Sequence, residues 1–424
     1  MGIGRFWMIN RLKPKSEFSR NVLTLMTGTT IAQSIPIAIS PILTRIYTPE
    51  DFGVFALFVA ITSIFGRIAN GRYELAIMLP KKDEDAINIF ALGFIIATML
   101  SLFLLLVVVL FQGNIVKLLN NDEIGIWLYF VPITVFFTGL FNILNYFNNR
   151  KKQYKDLANA NVIKSIVLAI TQLSIGFLKQ GVSGLISGQI VSQFLANTKL
   201  LLNILKDKVL ISKISKVKII ALAKRYKDFP KFSMLAIFSN TLSTHLINIL
   251  ISSFYSVATL GFYSLVQKLL GMPSALIGSS IGQVFFQQAT KEKQETGKAI
   301  NSFNSTVKKL IMIGLPSFGI LFFIVEDLFA FVFGEEWRVA GMYAKIVIPL
   351  FFIRFISSTL STILIVFEKQ KNELLINIIL LSTSTFLIFI INDFLSFLYI
   401  FSICMTLNYF IFLYYYYKLS KSKE

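Results

Sequence analysis

Six side chains that carry or can carry positive charge sit where this sequence offers no water. Arg67, Lys164, His245, Lys268, Lys345 and Arg354 each fall inside a mostly apolar run of about 20 residues, long enough to cross hydrocarbon. Holding an Arg or Lys at mid-bilayer costs from about 3 to more than about 10 kcal/mol, so such residues turn toward an interior hollow or find a partner. A guanidinium grips phosphate through two parallel N–H donors, and a lysine ammonium is a movable point charge. The chemistry on offer is recognition of a phosphate-bearing anion. Each residue also has a plainer reading. Arg67 and Glu74 are seven apart, within about 20° on one helix face, and can pair. Lys345 lies near the end of its run and can snorkel to the surface. His245 can be a hydrogen-bonded interior imidazole rather than a proton relay.

The acids are placed differently. None occupies the centre of an apolar run, which removes the usual attractor for a cationic substrate and a buried carboxylate for proton coupling. The densest early pair, Glu50-Asp51, stands in Thr48-Pro49-Glu50-Asp51. Two readings compete there. A catalytic acid pair accounts for two of the four residues. A helix start accounts for all four: Thr48 as N-cap, Pro49 as first helical residue, and two acids facing the positive end of the helix dipole, with Asp51 closing a capping box. Glu335-Glu336 reads as a solvated turn.

The elements that must position these residues are membrane helices. The chain has 424 residues, 55% hydrophobic and only 15% charged, including 42 Phe, and a soluble domain cannot bury so much apolar surface. Twelve spans follow: 21–44, 52–73, 86–111, 124–146, 157–178, 182–204, 232–254, 257–280, 306–325, 341–366, 373–391 and 394–415. Pro36, Pro41, Pro273 and Pro316 fall within them and can break or kink helices. A single Cys and a single His exclude an internal disulfide and a multi-histidine metal site. The absence of G-x-x-x-x-G-K-[ST] removes a phosphate loop, so no cofactor is expected and the work must be powered by something other than the chain's own ATP hydrolysis. Residues 1–20 are basic and interrupted, and read as a retained segment on the membrane surface.

Connecting segments alternate in charge. Seven of them carry 31 of the 41 Lys and Arg, from the N-terminal Arg5 to the C-terminal Lys423, including nine between Lys206 and Lys231. The intervening segments hold only Arg45, Lys117, Lys179 and Arg338. Cationic loops stay in the cytoplasm, so both termini are expected inside, with an even number of spans. The net charge of +19 is thereby assigned to topology and anionic membrane lipids, not to nucleic acid.

The long basic loop near the middle separates two halves: 1–204, a linker 205–231, and 232–424. "YTPEDFGVFALF" (47–58) aligns with "YSVATLGFYSLV" (255–266) at a shift of 208, pairing Tyr47 with Tyr255 and Gly53 with Gly261. At a shift of 217, Pro132 falls on Pro349. The embedded cations are not repeated: Arg67 aligns with Ala275 and Arg354 with Phe137.

The segment "LTRIYTPEDFGVFALFVAITSIFGRIANGRYELAIMLP", residues 43–80, resembles the first-hairpin signature of bacterial polysaccharide flippases. These are the O-antigen and capsule repeat-unit exporters of the multidrug/oligosaccharidyl-lipid/polysaccharide superfamily. Arg45 and Pro49 to Gly53 carry the match. The resemblance implies a MATE-like fold, twelve helices in two six-helix bundles around a central cavity. It implies a substrate, an undecaprenyl-diphosphate-linked oligosaccharide, moved across the bacterial inner membrane for O-antigen, lipopolysaccharide or capsule synthesis. A polysaccharide polymerase and chain-length regulator are the partners it implies, and an ion gradient, its ion unassigned, is the power source it implies. Arg67, Lys164, His245, Lys268 and Arg354 are the residues expected to bind that substrate. A membrane glycosyltransferase or polymerase, and a MATE-type drug exporter, are the competing classes.

Overall fold

The computed structural model describes residues 17–178 and 181–422. Residues 1–16 of the expected surface segment, Lys179 and Lys423 lie outside them. Among the described residues every regular element is helical. The first half comprises α1 (Glu17–Ala38), α2 (Ser40–Ile46), α3 (Pro49–Gly66), α4 (Asp83–Leu119), α5 (Val131–Arg150), α6 (Tyr154–Phe177) and α7 (Ser183–Leu205). A short α8 (Lys216–Arg225) follows. The second half comprises α9 (Met234–Phe254), α10 (Val257–Leu270), α11 (Ser279–Thr296), α12 (Ile300–Phe333), α13 (Arg338–Leu360), α14 (Gln370–Ile390) and α15 (Phe394–Lys421).

Ten of these helical stretches are long and apolar enough to cross a membrane. The first and sixth expected spans are helical as well, as α1–α2 and α7. In α7, Ser, Gly, Gln and Asn dilute the apolar content, and Gln193 and Asn197 are buried against neighbouring helices. Thr138 shares a hydrogen bond with Gln193 (3.2 Å), and Asn197 donates to the Phe137 carbonyl (2.9 Å).

The prolines act unequally. A break at Ile39 separates α1 from α2, with Pro41 in the first turn of α2. Pro273 precedes a π-helical turn, Ser274–Gly278, that joins α10 to α11. Helix α12 runs unbroken through Pro316. It and α4 extend several residues beyond the expected 306–325 and 86–111, and α4 stops only where Asn120 turns left-handed (φ 49°).

The halves repeat each other in packing. Helix α4 lies on α5 as α12 lies on α13, α1 on α6 as α9 on α14, and α6 on α7 as α14 on α15. The paired tyrosines anchor equivalent ends: the Tyr47 hydroxyl donates to the Gln172 carbonyl (2.6 Å), and that of Tyr255 to the Ile391 carbonyl (2.8 Å). The halves meet where α3 crosses α10. A Cβ on Gly53 would lie 1.9 Å from the Val257 oxygen, and one on Gly261 would lie 1.8 Å from the Pro49 oxygen. At the shift of 208, Pro49 and Val257 are themselves equivalent, so the crossing is reciprocal. Only glycine lets two backbones approach this closely.

The residues 205–231, expected as a linker, are largely helical and dock on the first half. Asn88 accepts from Ser215 N–H (2.8 Å) and donates to the Lys213 carbonyl (3.0 Å), and Lys218 pairs with Glu84 (3.0 Å).

At Thr48 the helix-start reading holds. The Thr48 hydroxyl accepts the Asp51 N–H (3.2 Å), and the Asp51 carboxylate accepts the Thr48 N–H (3.0 Å). Ser256, the repeat partner, caps α10 in the same way through Thr259 N–H (3.0 Å). Glu50→Gln with Asp51→Asn is therefore expected to keep substantial activity in a cellular assay of the export that the family resemblance implies, whereas a catalytic pair would lose it all. Thr48→Ala is expected to cost about 1 kcal/mol, read as a lowered unfolding midpoint of the purified protein.

Candidate substrate cavity

Four helices of the second half turn polar stripes toward one another. On α9, Asn240, Thr244 and Asn248 recur every fourth residue, one helix face. The α10 region contributes Gln267, Gly271 and Ser274, α13 contributes Arg354, Ser358 and Ser361, and α14 contributes Glu373, Asn377 and Ser384. Tyr409 and Tyr416 of α15 complete the wall. Together they enclose a cavity of about 670 Å³, within the range of ligand sites.

The cavity extends along its lining helices, from Asn248 to Asn240 on α9 and from Ser384 to Glu373 on α14. Glu373 and Tyr416 mark the end flanked by Lys371 and Lys418, the cation-rich face. Asn248 lies six residues from the last residue of α9, so roughly 9 Å from the opposite end by helical rise. That opposite face is closed. Trp337 is fully buried there between the halves, its indole N–H donating to the Thr44 carbonyl (2.9 Å) and its ring edge-on to Phe52 (5.0 Å) and Phe262 (5.5 Å). Ser253 of α9 also donates to the Leu119 carbonyl of α4 (3.3 Å). Asp393 caps α15 on this face. Its carboxylate accepts the Ser396 N–H (2.8 Å), which holds the carboxyl below the usual range.

The five expected binding residues are distributed as follows. His245 and Arg354 line the cavity. The Arg354 guanidinium lies over Phe351 (5.7 Å), with no ion-pair partner among the described residues. Arg67 ends α3 and is exposed, outside the cavity wall. Lys268 faces the first half, donating to the Pro36 carbonyl (3.1 Å) and the Ser40 hydroxyl (3.0 Å) at the α1–α2 break. Lys164 lies apart, on α6 over the Phe141 ring (5.0 Å). The structure thus brings His245 and Arg354 to one cavity, leaves Arg67 exposed at the end of α3, sets Lys268 at the seam, and leaves Lys164 inside the first half.

Two pairings differ from expectation. Glu74 binds Arg72 (3.0 Å) rather than Arg67, because α3 stops at Gly66 and the chain turns with positive φ at Gly71 and Arg72. Arg67 and Glu74 consequently share no helix face. Lys345, partly exposed near the end of its run, pairs with Glu326 (2.9 Å), a partner its spacing did not indicate. The Gly, Ser and Gln that dilute the span 257–280 suit a helix interface or a wet cavity, and Gln267, Gly271 and Ser274 of that span do line the cavity; the four-residue spacing of Asn240, Thr244 and Asn248 is the further signal in the sequence.

Comparison with known proteins agrees with this architecture. The chain matches the family model described as polysaccharide biosynthesis protein over residues 42–342, and belongs to that family. No curated protein matches it by sequence. Among solved structures it is similar to an inward-facing multidrug resistance MATE family transporter of the MOP superfamily, with 12% identity and a TM-score of 0.66 over 94% of this chain and 96% of that one. It is similar also to the lipid II flippase MurJ in an inward closed conformation, with 13% identity and a TM-score of 0.67 over 94% and 89%. A third is a MOP superfamily transporter from Pyrococcus furiosus described by the reverse polarity of its binding pocket, with 12% identity and a TM-score of 0.59 over 95% and 94%. The protein is a multi-pass, all-helical membrane protein of MATE-like fold.

The closed face depends on the glycine crossing. Gly261→Ala is expected to force α3 and α10 apart at a cost of about 1–3 kcal/mol, an overpacking effect. In a protein with Cys404→Ser and Thr44→Cys, it should raise the maleimide reaction rate at position 44 by about tenfold. An unchanged rate would show that the crossing does not hold this face shut.

Proposed function

We propose that this chain is a flippase that moves an undecaprenyl-diphosphate-linked oligosaccharide from the cytoplasmic to the outer leaflet of a bacterial inner membrane by alternating access. The pathway it serves is O-antigen or capsular polysaccharide synthesis, with a polymerase and chain-length regulator acting after it. The observation that carries the reading is Arg354, a guanidinium with no carboxylate partner among the described residues on the wall of an intramembrane cavity. An unneutralised cation there is costly unless an anion joins it. A diphosphate supplies that anion, while the polyisoprenoid tail stays in lipid. The family description, polysaccharide biosynthesis protein, supports the substrate class, and one fold neighbour carries the name lipid II flippase.

With the cation-rich face in the cytoplasm, both termini lie inside. The cavity then opens toward the side on which lipid-linked sugars are assembled, and the Trp337 seal lies outside. Arg67 and Lys268 flank the route between halves, Lys164 lies further along the first half, and His245 adds a donor beside Arg354. A cationic-drug reading leans on Glu373, the one carboxylate on the wall among the described residues, but Glu373 sits in the first turn of α14 at the mouth rather than in the depth.

Arg67→Ala, Lys268→Ala and Arg354→Ala are each expected to slow export and to accumulate lipid-linked oligosaccharide on the cytoplasmic leaflet. Loss of one charged hydrogen bond, about 1.5–3 kcal/mol, corresponds to roughly 10- to 100-fold. Unchanged export in all three defeats the assignment.

A further inference from the structure

The basic segment between the halves has two faces, and only one of them is used inside the protein. Helix α8 packs on the start of α4: Ile219, Leu222 and Tyr226 join the apolar cluster that contains Ile87 and Phe90. Asn88 holds the backbone of Lys213 and Ser215, and the Tyr73 hydroxyl donates to the Ala223 carbonyl (3.0 Å). These contacts fix the depth of α8. Asp83, Glu84 and Asp85 fill the first turn of α4, and its apolar run begins at Ala86. Helix α8 therefore lies level with the first apolar turn of a membrane-spanning helix, where hydrocarbon gives way to head groups.

The other face has no partner in the chain. At 100° per residue, Val217 and Ile220 stand opposite Ile219 and Leu222. Val217 is 78% exposed and Ile220 47%. Val209, in the short helical turn Lys208–Ile211 that precedes α8, is 73% exposed. A single exposed apolar side chain is ordinary, but these are interleaved with cations. Residues 205–231 hold nine Lys and Arg against two acids, Asp207 and Asp228. Lys213 and Lys218 are engaged by Glu84 (3.9 and 3.0 Å), and Asp207 is spent on the Leu210 N–H (3.0 Å). The other seven cations have no ion-pair partner among the described residues. Two of them, Lys216 and Lys224, lie within about 40° of Ile220 around the α8 axis.

We propose that this outer face is a docking surface for an anionic lipid leaflet. Val209, Val217 and Ile220 enter the head-group layer, and Lys216 and Lys224 hold lipid phosphates. Each half of the pattern needs the other. Apolar side chains at this depth gain by leaving water, and lysine stems can lie along the same apolar layer while their ammonium groups reach phosphate. Each Lys or Arg near an anionic surface adds about 1 kcal/mol, so two lysines supply a preference that a neutral leaflet lacks. A nucleic acid would take the cations and leave the valines in water. The inference needs only the depth of α8 and its charge, and stands apart from the flippase reading.

The test uses the full chain with Cys404→Ser and Val217→Cys, placed in nanodiscs of phosphatidylcholine alone or of phosphatidylcholine with phosphatidylglycerol. A water-soluble maleimide is expected to react at position 217 about tenfold more slowly in the anionic discs. High salt should remove that difference, as should Lys216→Gln with Lys224→Gln. Both lysines are exposed and unpaired, so their loss leaves the Asn88 contacts in place, and the salt arm needs no further variant. Equal rates in the two kinds of disc overturn the proposal, and so does a difference that survives both salt and the double substitution. Slow reaction in native membranes with equal rates in the two discs would assign the face to a protein partner, and likewise overturns it.

Discussion

A polar group in hydrocarbon must find its partner within the protein or in enclosed water, and this one constraint organises the molecule. It confines the backbone to helices. It places Asn70, Asn142 and Asn197 where each amide donates to a carbonyl of a neighbouring helix, at Gly93, Gly66 and Phe137. It joins Lys345 to Glu326, and sends Lys268 to the carbonyl at the α1–α2 break. At Arg354, which has no carboxylate partner among the described residues, the protein has a cavity instead of a packed core.

Scaffold and site obey different symmetries. The glycine crossing, the two tyrosine anchors and the two hydroxyl caps all recur at equivalent positions. The cavity wall does not. Phe137, equivalent to Arg354, packs against Phe136 and Phe194, with ring centroids 5.8 and 5.7 Å apart. Phe141, equivalent to Ser358 at the same shift of 217, lies under Lys164. The face that is Arg and Ser in one half is therefore Phe and Phe in the other. Under the flippase reading, duplicated backbone geometry lets the halves move against each other, and unduplicated side chains fit that motion to an asymmetric cargo.

The sequence is most legible where one physical effect dominates several consecutive residues. Thr48 to Asp51 satisfy four helix-start preferences at once, and the spans are set by the thickness of the bilayer. It is least legible where the outcome turns on a local break. The pairing of Arg67 with Glu74 assumed a helix running through both, and the left-handed turn at Gly71 and Arg72 redirects the chain. The basic segment 205–231 looked like a loop by charge, yet Asn88, a single buried amide, fixes it to the first half. The cavity was half legible: its charges stood out against the apolar runs, while Asn, Ser and Gln in the same runs are individually ordinary and gain meaning only when four helices aim them together.

Lys268 shows how such a scaffold can couple closure to cargo. Its ammonium spans the two halves and donates to a neutral carbonyl and a hydroxyl, the weaker class of acceptor for a cation. An incoming phosphate oxygen is the stronger class, so under the flippase reading the anion competes for a donor that otherwise ties α10 to α1. The Pro36 carbonyl released in that exchange is not stranded, because the Ser40 hydroxyl already donates to it (2.6 Å). The contact can therefore be given up without leaving a buried acceptor unpaired. A cation held by a glycosylated anion on one side and by a self-sufficient helix break on the other is a joint that cargo can loosen.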